Sequence, residues 1–444
     1  MKERLLLFII VLGLTAFIYI FQSYTVWGLA MLVSLMALYA LFTNVAYKIK
    51  QRYEQKTPIV RNESYKPFVS IMIPAHNEET VIGNTVRTVL NLDYPNFEVI
   101  AIDDRSTDNT AAVLLDLEKE YPNKVKAFIR LNDALAFAKG EAILVFDADA
   151  TMEPDFLTNL VYELEPKDVG AVQARKIVRN KDMNILTRCQ NNEMTMDTHF
   201  QVGRDSVKGA VELRGNGELI KRTALEDIGG WNNYTITDDL DMSTRLHIKG
   251  WDVRFCADTA VYEEGIMYLF PLYKQRRRWL EGTIRRYLEY FWDILTSKKM
   301  SMRVRLDMIA YISEFIMPAW FIIEIGILLF KICLKDAQPH ILMSSVIMGC
   351  IIGLGFMMAC RYSLRRYDNL PRTDAFIQSV YTSVYLLLIW FPLVLFIGTK
   401  ILFMKKDMNW GKTTHGLIQH EHAIQKAKEK IKKAKEELKK LLAK

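Results

Sequence analysis

Two nearly uncharged runs, Leu5–Phe21 and Val26–Tyr47, open the chain. Three more follow near its other end, at about Ile309–Leu334, Ile341–Cys360 and Phe376–Met404. Each is close to or above the ~20 residues a helix needs to cross a bilayer. This pattern predicts two transmembrane helices within residues 1–50 and a C-terminal transmembrane region at 305–410. A cleaved signal peptide is a poor reading of the first run. A second apolar run follows after four residues, and no small-residue cleavage pattern lies between them.

The net charge is +7, and much of the excess flanks the apolar runs. Lys48, Lys50 and Arg52 follow the second, Arg361, Arg365 and Arg366 the fourth, and Lys405 and Lys406 the fifth. The positive-inside rule then places the intervening polar domain in the cytoplasm of a multi-pass plasma-membrane protein. Basic residues so placed also favour anionic headgroups, making membrane lipids partners. They form no separate basic domain, so no nucleic-acid partner is expected. Five spans with a cytoplasmic N-terminus would leave the basic tail outside, against that same rule. The five cysteines form no CxxC pair, which argues against a zinc site or a disulfide framework.

Between the runs, residues 65–270 alternate apolar strands with amphipathic segments. Strands are expected at Phe68–Pro74, Phe97–Asp103, Val125–Ile129, Ala142–Phe146 and Val169–Ala174, with helices between them. Such alternation implies an α/β domain with a mostly parallel sheet covered by helices. A polar helix over Asn184–Gln201 reads as the wall of a cleft.

Acids stop the second and fourth strands. Phe97–Ile102 runs into Asp103-Asp104, and Ala142–Phe146 into Asp147-Ala148-Asp149. Ligands of open α/β sheets bind at that carboxyl edge. Paired carboxylates there suit a hard divalent cation shared with substrate phosphates. Arg214-Gly-Asn-Gly marks a tight turn. Beyond it, Thr237 is placed to cap a helix from Asp238 to Lys249. Asp238 and Asp239 would then also suit the positive end of that helix's dipole. Within 271–300, Gln275-Arg-Arg-Arg-Trp279 lies in a stretch basic on one side and aromatic on the other, as in interfacial amphipathic helices.

The series Pro74-Ala-His-Asn-Glu78, Asp103-Asp104, Asp147-Ala-Asp149, Thr237-Asp-Asp239 and Gln275-x-x-Arg278-Trp279 resembles the family 2 glycosyltransferases. More narrowly, it resembles their processive membrane branch, the cellulose, hyaluronan, chitin and poly-N-acetylglucosamine synthases. The likeness runs from about Lys66 to Gly282, and Asn409–His415 is similar to a juxtamembrane element of that branch. The resemblance implies a GT-A fold (a Rossmann-like, mostly parallel sheet) using a UDP-sugar and Mg²⁺ or Mn²⁺. By position, Ala75, Asn77, Glu78, Asp103 and Asp104 would hold uridine and ribose. Asp147 and Asp149 would meet the diphosphate through the metal. Asp239, beside Asp238, would be the general base. Gln275 and Arg278 would bind diphosphate, and Trp279 the acceptor end of a glycan. One departure stands out: Phe128-Ile-Arg130 runs almost directly into Leu131-Asn132, so a Gly/Lys-containing loop is trimmed.

These residue types suit inverting sugar transfer. A carboxylate can accept the acceptor's proton. A cation and an arginine neutralise the departing diphosphate. The reading favoured by the motifs is a membrane polymer synthase using UDP-GlcNAc, with UDP-glucose next. The alternatives are a transferase adding one sugar to a membrane lipid, or a non-enzymatic scaffold with a decayed domain. Residues 420–444 carry a short heptad stripe from Ile424 to Leu441 among lysines and glutamates. It reads as a membrane-surface helix, as an oligomer or accessory-subunit contact, or as a solvated appendage.

Overall fold

The computed structural model describes residues 2–57, 61–128, 131–232, 234–334, 339–404 and 406. Helices α1 (Lys2–Ile20) and α2 (Gln22–Lys56) lead into an α/β domain. Its first half holds β1 (Val69–Ala75), α3 (Ile82–Leu90), β2 (Phe97–Asp103), α4 (Thr110–Glu120), β3 (Val125–Phe128), α5 (Leu131–Phe137) and β4 (Ala142–Val145). The second half holds β5 (Thr151–Met152), α6 (Phe156–Leu164), β6 (Val169–Val178), α7 (Ile185–Ser206), β7 (Glu218–Lys221), α8 (Arg222–Asp227), α9 (Asp238–Lys249) and β8 (Asp252–Glu263). Then come α10 (Leu269–Glu289), α11 (Phe291–Thr296), α12 (Met302–Cys333), α13 (Pro339–Tyr367) and α14 (Arg372–Phe403).

Eight strands form one sheet in the order β3-β2-β1-β4-β7-β6-β8-β5. Strands β3, β2, β1 and β4 are mutually parallel, as the helical crossovers between them require. The sheet is mostly parallel, as expected, but not wholly so. β7 runs antiparallel to both β4 and β6, and β5 antiparallel to β8, while β6 and β8 are parallel. The sheet is therefore mixed. Its centre is covered on both faces, and β2 is buried along its whole length, which is why these strands read as unbroken apolar runs rather than alternating ones.

One face packs on α3, α4 and α6 through Val86, Leu117, Leu157 and Leu160. The other packs on α7, α8 and α9 through Val202, Leu225, Met242 and Leu246, with Tyr47 of α2 and Tyr367 of α13 against the same cluster. The α/β domain thus rests on the long helices by its second face. Polar ties reinforce the seam. Lys50 of α2 and Arg254 of β8 both reach Asp205 at 2.6 Å. Asp307 of α12 accepts from Arg204 and from the Ala210 N–H.

Among the described residues, four helices are long and apolar enough to cross a membrane: Lys2–Ile20, Trp27–Lys56, Met302–Cys333 and Arg372–Phe403. The expected run Ile341–Cys360 lies within α13. The trimmed loop at Ile129-Arg130, the juxtamembrane element at 409–415 and the tail at 420–444 fall outside the described residues.

Candidate active site

The ends of β1 and β2 form one rim. The Ala75 carbonyl closes β1 by accepting from the Asp104 N–H at 2.8 Å. Asn77 follows in the left-handed region, at φ 58°, a conformation its short polar side chain tolerates better than most. That turn lets its N–H donate to Ser106 Oγ at 2.8 Å while its Oδ1 accepts from the Thr107 N–H at 2.6 Å. The Glu78 N–H donates to Thr110 Oγ1 at 2.7 Å. Asp103 is buried and accepts from the Ser106 N–H at 3.3 Å, while Asp104 sits beside Arg105 at 3.2 Å. The structure brings Ala75, Asn77, Glu78, Asp103 and Asp104 together as expected.

Next along the edge come the acids. The Asp147 N–H donates to Asn216 Oδ1 at 3.2 Å, and Asp149 Oδ2 accepts from the Glu264 N–H at 3.2 Å. Burial pushes Asp147 up to about 7. Lys176 opposes that, and Asp149, Glu263 and Asp238 add to it. Asp238 and Asp239 open α9. Gly215, at φ 81°, lies beside Asp239, and a Cβ there would make an ordinary contact with Asp239 Oδ2 at 3.4 Å. Burial and then Asp238 raise Asp239 to about 6, against the Leu240 N–H, Lys176 and Arg214. Burial raises Asp238 too, with backbone N–H groups opposing.

Thr237 takes the extended backbone expected of a cap but makes no side-chain cap bond, and its Oγ1 is buried without a partner. The reason lies in α10. A Cβ added to Gly282 would fall 2.4 Å from Thr237 Cγ2, so the threonine is engaged in helix packing instead. The same contact presses α10 onto the start of α9.

That packing delivers Arg278 to the acids. Burial lowers its guanidinium's pKa, against the pull of Asp147, Asp239 and Asp238. The basic face expected to meet headgroups is, in the structure, a row of buried ion pairs. Arg276 reaches Glu193 at 2.8 Å, Arg285 reaches Glu281 at 3.0 Å and Arg286 reaches Glu212 at 2.7 Å. Amphipathic spacing cannot tell an arginine facing lipid from one facing a buried glutamate. Arg276 also donates to Gln275 Oε1 at 2.6 Å and lies 4.1 Å over the Trp279 ring. It therefore orients Gln275 and Trp279 together. Glu193 in turn accepts from Tyr385 Oη and Trp390 Nε1 of α14, both at 3.0 Å.

Sequence reasoning missed three groups here. Lys176 of β6 is held by Glu263 at 2.6 Å and donates to the Arg214 carbonyl at 3.2 Å. Burial alone would lower its pKa, but Glu263 and Asp147 outweigh that and raise it. Glu218 is buried and pushed well above the ordinary range by burial, then by Asp239 and Asp238. Glu193 was hidden in a polar helix. A lysine ending an apolar strand was the one available signal for Lys176.

Among the described residues, no preformed group of three or more His, Cys, Asp or Glu side chains could hold a metal ion. Asp147 and Asp149 nonetheless fit a hard divalent cation that takes its other ligands from a substrate. They are carboxylates in an acid-rich cluster whose repulsion such a charge would relieve.

Residues 67–282 match the family model described as glycosyltransferase like family 2. The chain is 36% identical over 366 residues to a beta-monoglucosyldiacylglycerol synthase of Nostoc sp., covering 79% of this chain and 76% of that one. It is 32% identical to a protein of the same name from Synechocystis sp., covering 91% and 85%. To the poly-beta-1,6-N-acetyl-D-glucosamine synthase of Staphylococcus epidermidis it is 28% identical, covering 61% and 68%. The solved mannosyltransferase PcManGT of Pyrobaculum calidifontis, in complex with GDP-Man and Mn²⁺, superposes with a TM-score of 0.56 at 19% identity. It covers 80% of this chain and 99% of that one, and shares the fold. The chain belongs to glycosyltransferase family 2. It is a glycosyltransferase with a GT-A-like mixed sheet.

Proposed function

We propose that this family 2 enzyme transfers one sugar from a UDP-sugar, UDP-glucose foremost, to the hydroxyl of a diacylglycerol-type membrane lipid. The observation that carries this is the likeness to two lipid glucosyltransferases over three quarters or more of both chains, against 61% of this chain for the polymer synthase. The expectation of a polymer synthase gives way accordingly. Attachment of α10 to α14 through Glu193 supports it physically, because the acceptor platform Trp279 then stands beside the helices a lipid would approach along.

In this reading, Asn77, Glu78, Asp103 and Asp104 hold the uridine and ribose. Arg278 presents a planar fork to the diphosphate, with Gln275 beside it. Asp147 and Asp149 hold Mg²⁺ or Mn²⁺, which supplies positive charge to the departing diphosphate when bound. Asp239, paired with Asp238, takes the proton from the acceptor hydroxyl. The acceptor oxygen bonds to the sugar's anomeric carbon as the bond to the phosphate oxygen breaks, and UDP leaves. Trp279 offers a flat apolar face to acceptor or sugar. The catalytic domain faces the cytoplasm, where UDP-sugars are made.

The test is incubation of purified protein in diacylglycerol-containing vesicles with a panel of radiolabelled UDP-sugars. A single glycolipid spot with UDP release is the expected result. High-mass label from UDP-GlcNAc would instead favour polymer synthesis, and absence of UDP release with every donor would favour a scaffold.

A further inference from the structure

Lys48 of α2 and Arg366 of α13 emerge at the same place. Lys48 Nζ lies 6.0 Å from the centre of the Tyr362 ring. Arg366 donates to Tyr47 Oη at 2.9 Å, and its guanidinium carbon lies 5.9 Å and 5.8 Å from the Tyr47 and Tyr367 ring centres. Between them stands His199 of α7, its ring 5.0 Å from Tyr362 and 6.3 Å from Tyr367. His199 Nε2 is 3.2 Å from Asn44 Nδ2, and its Nδ1 is buried without a partner.

Charge balance separates this cluster from its surroundings. Nearby Lys50 is neutralised by Asp205 at 2.6 Å and Arg175 by Asp368 at 2.6 Å. Lys48 and Arg366 have no acid within ion-pair distance among the described residues. Burial first, then Arg366 and Lys48, push His199 down to about 4, so both cations bear on the same ring. Further into the apolar stretch of each helix, Leu41, Phe42 and Val45 of α2 and Leu354 and Met358 of α13 are 46–62% exposed. A ligand that satisfies both features is anionic at one end and hydrocarbon at the other.

We infer that Lys48 and Arg366, with Tyr47, Tyr362 and His199, bind the phosphate of one anionic phospholipid whose acyl chains lie along α2 and α13. Basic pockets between helices at a membrane face take such headgroups. The site also touches the catalytic scaffold. His199 is two positions from Asp197, which holds Arg214 at 2.6 Å. Arg366 directly precedes Tyr367 and Asp368, which hold Arg175 beside Lys176. Arg214 and Lys176 both bear electrostatically on Asp239, so an occupied site would steady the setting of that carboxylate.

The full chain is reconstituted in phosphatidylcholine vesicles with and without phosphatidylglycerol, and donor turnover is measured. Lipid retained after detergent extraction is read by native mass spectrometry, a readout that needs no transfer activity and is independent of the acceptor proposed above. Phosphatidylglycerol should raise turnover about three- to tenfold, on the scale of one interfacial cation, and should be retained. The pair Lys48→Gln and Arg366→Gln should lose both effects while keeping the phosphatidylcholine rate. Lys48→Arg with Arg366→Lys should keep both, as should Arg361→Gln with Arg365→Gln. Retention and activation that survive Lys48→Gln with Arg366→Gln would overturn the site. Equal loss in the Arg361/Arg365 variant would reduce it to general surface charge. Equal activation by inorganic phosphate would exclude a lipid.

Discussion

On the rim proposed to hold the sugar donor (the donor rim), Asn77, Glu78 and Asp103 meet Ser106, Thr107 and Thr110 through bonds that each use a backbone N–H. On the acceptor rim, Arg286 meets Glu212, Arg276 meets Glu193, and Trp390 meets Glu193, side chain to side chain across 74, 83 and 197 positions. The first kind of joint needs one suitable residue in a nearby loop. The second needs two long side chains from remote elements, and losing a glutamate leaves its buried arginine without a carboxylate. One rim tolerates change, while the other is brittle and is tied to the membrane helices.

The sharpest probe lies where the rims meet. Asp239→Asn should lower kcat about 10²- to 10⁴-fold, the usual range for removing a general base, with UDP binding by calorimetry nearly unchanged. Equal loss of both would make Asp239 a wall of the pocket. Brittleness itself is tested by Glu212→Gln, which deprives Arg286 of its carboxylate and should cost about 3–5 kcal/mol of stability. Thermal melts in detergent would read it, and a melt within a degree of the parent would refute the contrast.

Trp279→Ala should raise the acceptor KM about tenfold while the donor KM barely moves, and a shift in the donor KM instead would assign Trp279 to the other rim. The pH profile follows from the same base. Asp239 is raised by burial and Asp238 to about 6, and a base works only when deprotonated. Activity should therefore be full above that value and fall about tenfold per unit below it. An acid limb near the ordinary aspartate value would point to another base. On the tolerant rim, Ser106→Ala removes one acceptor from the Asn77 N–H and should cost about 1 kcal/mol in donor KM.

The donor rim was legible because its signals are local. Asp103 and Asp147 interrupt apolar runs, and Asn77 and Asp104 sit next to strand ends, so strand geometry alone gathers them. The start of α9 was legible to the residue, yet the role of Thr237 was not, because Gly282 lies 45 positions away and occupies its side chain. The reversal of β7 was equally invisible. Glu218–Lys221 has the same apolar character in either direction, and Gly217 at φ 72° does the turning. Apart from Arg278, the arginines of α10 carried only the reading of an interfacial helix, because their partners, Glu193, Glu212 and Glu281, carry no motif. Lys176 and Glu218 belong to the acid cluster only through the pairing of β6, β7 and β8.

Glu193 joins α10 to α14 with one carboxylate, and Lys400 of α14 reaches Glu281 of α10 at 2.5 Å, so the two helices are fastened at two points. Long apolar helices adjust their tilt to hydrocarbon thickness. Through Glu193, a change in α14's inclination would reach Arg276 and then the indole it covers. For an α14 that spans the bilayer, hydrocarbon thickness would then be a mechanical input to the enzyme.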